Sequence, residues 1–227
     1  MNGHDHESPV TIDRREGPDG EVVLRRHGDR YQIIANGTFL MDTSDGRSER
    51  LLVDAALEAL PEDRTDLSVL IGGLGVGFSL ARAAAEPRWA RIAVAERERA
   101  VVDWHRTGPL GEFSERALED PRVSVVEGDL VAYVRDADVR YDALCLDIDN
   151  GPDWTVTESN SGLYGPAGLA ACGERLEPGG VLAVWSAQPS AAFDDALRAA
   201  LFTQVRSIEI PVDRGVPDVV HLAIKPA

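Results

Sequence analysis

The stretch Gly72-Gly73-Leu74-Gly75-Val76-Gly77 follows the apolar run Leu67-Ser68-Val69-Leu70-Ile71 and leads into a helical segment. Glycines at a strand-to-helix turn carry no β-carbon, so the backbone can approach a ligand, and the helix start offers unpaired N–H groups. A tight turn needing positive φ would use the same residues. Two acidic strand ends tip the balance toward a ligand. Arg91 to Glu96 reads as a second strand ending in a carboxylate about 20 residues after the glycines, where ribose hydroxyls are gripped in nucleotide-binding α/β folds. A third strand, Val123 to Val126, runs through Glu127-Gly128 to Asp129 at the same edge. Asp129 could accept a bond from an adenine amino group, or cap the helix that follows.

The glycine spacing narrows the ligand. A dinucleotide loop, G-x-G-x-x-G, would place its third glycine at Phe78. The G-x-G-x-G of Gly73, Gly75 and Gly77 suits a nucleoside without a pyrophosphate, and no G-K-[ST] follows for a triphosphate. A fourth strand, Tyr141 to Leu146, delivers Asp147 to the carboxyl edge of the sheet, the crevice where open α/β folds bind ligands. A carboxylate there can orient an amine and help remove its proton, or serve as a hydrogen-bond post for the loop. The following Asp149, Asn150 and Trp154 combine acid, amide and ring in a pattern suited to a cationic group, and Glu158 and Tyr164 fall where a lid would lie. Trp185, Ser186 and Gln188 end a fifth strand, Val181 to Trp185, where a core tryptophan is the competing reading. His105 and His221 have no partner at metal-ligand spacing, so no metal is expected.

These residues need a scaffold of alternating strands and crossover helices, which requires a doubly wound, mostly parallel sheet. Helices are predicted at about Phe78 to Ala85, Ala100 to Trp104, Leu130 to Arg135, Pro166 to Leu176 and Asp194 to Leu201. Val205 to Ile210 and Val219 to Lys225 are too close for a helical crossover and should form an antiparallel hairpin at the sheet edge. Ahead of this domain, 61–227, residues 21–60 read as a β-hairpin cap turning at Asn36-Gly37, with a linking helix capped at Ser44 or Asp45. Residues 1–20 show no apolar periodicity and read as a loose tail.

With 227 residues, 44% of them hydrophobic, the chain can bury one substantial core. The net charge of −16 and scattered basic residues argue against nucleic acid as a partner and are compatible with a cationic small-molecule substrate. No apolar run approaches the ~20 residues of a membrane helix, and the polar start lacks a secretion signal. Cys145 and Cys172 read as buried apolar residues, so a cytoplasmic, membrane-free protein is expected.

The loop Ile71 to Gly77, Ala95-Glu96, Glu127-Gly128-Asp129, the run Tyr141 to Asp149, Leu163-Tyr164-Gly165-Pro166 and the Asn36-Gly37 turn together resemble the spermidine synthase-like branch of the adenosylmethionine-dependent transferase superfamily. The resemblance spans Tyr31 to Lys225. It implies a β-cap on a seven-stranded Rossmann-like methyltransferase sheet, a homodimer, and an Asp147 that activates an amine. Aminopropyl-transferring members carry an Asp in the loop that pairs with the donor's propylamine, where this chain has Gly75; a Tyr-His-Glu run, where it has Ser48-Glu49-Arg50; and a cap glutamine, absent from Thr38 to Asp42. Asp149 or Asn150 takes the family's second acidic position. The missing loop acid favours S-adenosylmethionine as cofactor and methyl transfer to a small acceptor that can carry an amine. Aminopropyl transfer from decarboxylated S-adenosylmethionine to a polyamine, and a catalytically idle nucleoside-binding protein, are the alternatives.

Overall fold

The computed structural model describes residues 8–148, 150–155, 160–212 and 215–227. Strands β1 (Val10–Gly17), β2 (Gly20–His27), β3 (Arg30–Ala35) and β4 (Thr38–Asp42) form an antiparallel sheet in sequence order. The expected loose tail therefore contains a strand, and the cap is a four-stranded sheet rather than a hairpin. Periodicity misses β1 because the strand is an exposed edge with almost no buried side chain to impose alternation. Polar contacts hold it instead: the Trp104 indole N–H donates to Asp13 at 2.8 Å, and Arg15 pairs with Asp103 at 2.7 Å.

Helix α1 (Arg47–Glu58) joins the cap to the second sheet, burying Leu52, Val53, Ala55 and Ala56 on one face. Gly46, rather than Ser44 or Asp45, is its N-cap. Then follow β5 (Leu67–Gly72), α2 (Phe78–Ala85), β6 (Trp89–Glu96), α3 (Arg99–Arg106), β7 (Val123–Glu127), α4 (Leu130–Asp136), β8 (Tyr141–Leu146), α5 (Ser161–Tyr164), α6 (Pro166–Arg175), β9 (Leu176–Ser186), α7 (Ala191–Ala199), β10 (Thr203–Ile210) and β11 (Asp218–Ile224). The seven strands are ordered β10-β11-β9-β8-β5-β6-β7; neighbours from β7 to β9 pair parallel, and β11 pairs antiparallel with both β9 and β10. This is the expected doubly wound sheet with its reversed last hairpin. All six residues of both β5 and β8 are buried, as strands covered on both faces must be. Among the described residues no helix is long and apolar enough to cross a membrane.

At the amino end of the central strands, Asp142 accepts hydrogen bonds from the Ser68 N–H at 2.7 Å and the Ser68 hydroxyl at 2.8 Å, and pairs with Arg64 at 3.2 Å. Asp142→Ala should lower unfolding free energy by about 3 kcal/mol, because a buried donor loses a charged acceptor. Urea unfolding reads this directly. A loss within measurement error would show that Asp142 does not tie β5 to β8.

Candidate active site

The carboxyl ends of β5, β6 and β8 converge on one cleft. Gly73 N–H donates to the Ala95 carbonyl and Asp147 N–H to the Gly72 carbonyl, each at 2.9 Å, which splices the glycine loop between the two neighbouring strand ends. Gly73 has φ +90°, and a β-carbon there would collide with the Asp147 carbonyl oxygen. Only glycine lets the loop and the end of β8 approach this closely. At Gly75, φ +48°, the space a side chain would take holds the Met41 sulfur from the cap.

The cleft encloses about 550 Å³ between the cap and the sheet edge, a volume typical of small-molecule sites. Its walls bring together Gly73, Gly75, Glu96, Asp129, Asp147 and Asn150 from the sequence-predicted set. Gly72 and Gly77 flank the loop: Gly72 ends β5, and Gly77, φ +95°, is the N-cap of α2. Glu96 is buried, and its oxygens accept from Leu74 N–H at 2.9 Å and Glu98 N–H at 2.8 Å. Burial raises its pKa, and these backbone donors partly offset the rise. Glu96 thus shapes the loop from inside the cleft wall, a contact that its position at a strand end did not announce. Asp129 accepts from Ala132 N–H at 2.7 Å as the N-cap of α4 and still faces the cleft, with Arg97 at 3.8 Å.

Other expected residues lie elsewhere. Trp154 is 61% exposed and outside the cleft lining. Tyr164 is not a lid residue but part of the core, 7% exposed and edge-on to Phe193 at 5.8 Å. Both were placed by loop composition, which carries no direction. Asp149 and Glu158 fall outside the described residues. Trp185 does line the cleft, and its indole N–H has no partner among the described residues. His105 supports the loop from behind, with Nε2 2.9 Å from the Gly75 carbonyl and Nδ1 3.0 Å from the Ser114 hydroxyl. Among the described residues no group of His, Cys, Asp and Glu could hold a metal ion.

Asp147 stands at the cleft floor, where burial first, then the charges of Glu49 and Asp218, raise its pKa well above the usual carboxylate range. Glu49, on α1, is raised by burial and by Asp218 and Asp45; Asp218, at the start of β11, is raised by burial, with the nearby Ser48 hydroxyl acting in opposition. Sequence reading missed this convergence. Glu49 appeared only as a departure from a motif, and Asp218 reaches the edge because β11 runs backwards, its start lying at the end of β9, where Val219 pairs with Ser186.

No protein-family model and no curated protein sequence matches the chain. Among solved structures, spermidine synthase from Thermotoga maritima matches with a TM-score of 0.74 and 16% identity over 95% of this chain and 72% of that one. A spermidine synthase in complex with the transition state analogue AdoDATO matches with a TM-score of 0.74 and 18% identity over the same shares. Both neighbours correspond to the aminopropyl alternative and overturn the expectation of methyl transfer. Its physical premise also fails: Gly75 removes an acid from the loop, but Glu49 and Asp218 bring acids to the same cleft from α1 and β11. The chain therefore shares the fold of these two spermidine synthase structures.

Proposed function

We propose that this chain is a transferase that moves the aminopropyl group of decarboxylated S-adenosylmethionine to an amine acceptor. The observation that carries the reading is the convergence of Asp147, Glu49 and Asp218 on the glycine-loop cleft, with no ion-pair partner for Glu49 or Asp147 among the described residues. Half-buried carboxylates gathered without a counter-ion repel one another, and a cationic ligand relieves that repulsion.

The donor fits the residues present. Val101, Leu130 and Ile148 give the end near Glu96 and Asp129 apolar walls for a base, while the close-packed backbone at Gly73 and Gly75 leaves room for a ribose and sulfur. Glu96, with an oxygen already bonded to Leu74 N–H, retains lone pairs for a ribose hydroxyl. The donor supplies a sulfonium whose adjacent carbon accepts the amine: a C–N bond forms, the C–S bond breaks, and its electron pair stays on sulfur as a neutral thioether. Asp147 accepts the proton that the acceptor ammonium must lose before its lone pair can attack. The cleft walls hold the two reactants in contact.

The test is direct. Protein incubated with decarboxylated S-adenosylmethionine and a panel of di- and polyamines should release methylthioadenosine and yield an amine one aminopropyl group heavier by mass spectrometry. No release of methylthioadenosine with any amine would overturn the reading.

A further inference from the structure

At the narrow end of the cleft, a recess of about 20 Å³ lies between the glycine loop, Met41, Phe78 and two carboxylates, Glu49 and Asp147. It has room for one small headgroup. The Met41 sulfur occupies the space a side chain at Gly75 would take, and the carboxylates of the recess come from α1 and from the residue that follows β8 rather than from the loop. Ser48 is buried and its hydroxyl donates to Glu49 at 3.0 Å, fixing the carboxylate on the cleft side of the helix. The nearby Arg50 does not neutralise it: its guanidinium lies over the Phe78 ring, 4.5 Å from the centroid. Asp147, half-buried and without an ion-pair partner among the described residues, faces the same recess.

We propose that Glu49 is the specificity-determining residue for the donor, its carboxylate holding the primary ammonium at the end of the propyl chain and excluding a donor that still carries its carboxylate. This rests on the transferase reading and adds to it the residue that reads the donor's charge. An ammonium placed between Glu49 and Asp147 supplies the missing counter-ion. A carboxylate on the same carbon would crowd a third carboxylate into a recess that already holds two.

The experiment is calorimetry with three ligands: decarboxylated S-adenosylmethionine, S-adenosylmethionine, and methylthioadenosine, which lacks the propylamine. The wild type should prefer the decarboxylated form over the carboxylated one by at least tenfold. Glu49→Gln should bring the two to within about threefold of each other while methylthioadenosine binds as before. If Glu49→Gln keeps the full preference, the assignment of Glu49 falls and the transferase reading stands. If the wild type shows no preference, both fall. Should Glu49→Gln lose methylthioadenosine binding as well, Glu49→Asp decides: it keeps the charge and must keep the preference, and its failure to do so overturns the proposal.

Discussion

Asp147→Asn is expected to lower kcat for aminopropyl transfer by about 10²–10⁴-fold, the usual contribution of a positioned general base. The substitution is nearly isosteric, so the Asp147 N–H bond to the Gly72 carbonyl and the packing of its carbonyl against Gly73 should persist. Methylthioadenosine, which does not present an ammonium to this residue, should bind within threefold of wild type. The pH profile gives a second readout. The base is active when ionised, and burial together with Glu49 and Asp218 raises its pKa. The rising limb of kcat/KM should therefore lie above the ordinary carboxylate range, and it should vanish in the Asn variant. A kcat within tenfold of wild type would remove Asp147 from the chemistry and leave it as a hydrogen-bond post.

The parts of this molecule that were legible in its sequence are those governed by local periodicity. β5 and β8 are mainly apolar runs, broken only by Ser68 and Asp142, because helices cover both faces, and the short Pro- and Gly-bearing link after β10 excludes a crossover. The glycine loop and the acids at the ends of β6, β7 and β8 could be read because a parallel sheet delivers successive strand ends to one edge. β1 was invisible for the opposite reason: an exposed edge strand buries nothing that could impose alternation. Tyr164 shows the limit of composition, since an aromatic in a polar stretch reads as a lid until the packing against Phe193 places it in the core.

Gly75 shows a different limit. The absence of a loop acid was informative about the loop and uninformative about the cleft, because charge is a property of a place that several elements reach. α1 and β11 lie far from the loop in sequence, and only the cap-to-core packing and the reversed last strand bring Glu49 and Asp218 beside Asp147. Any function argued from one motif position carries this exposure when its neighbours are non-local.

Gly73→Ala is expected to abolish measurable nucleoside binding, a loss of at least ~100-fold, and to destabilise the fold by more than the strain of its backbone angle alone. Two effects combine. A non-glycine residue held at positive φ costs about 1–3 kcal/mol, and the new β-carbon would also strike the Asp147 carbonyl. Gly28 separates them, since it too has positive φ, +62°, but a β-carbon there meets nothing within 4 Å. Gly28→Ala should therefore show the strain alone, about 1–2 kcal/mol by urea unfolding, with ligand binding intact. At position 73 the collision has no soft outlet, because both partners are backbone and each is tied by a hydrogen bond, Gly73 to Ala95 and Asp147 to Gly72. Relief must come from parting β5 and β8 at their carboxyl ends, which moves the loop and Asp147 together. If Gly73→Ala bound methylthioadenosine as tightly as Gly28→Ala does, the close approach of loop and strand would not be what builds this site.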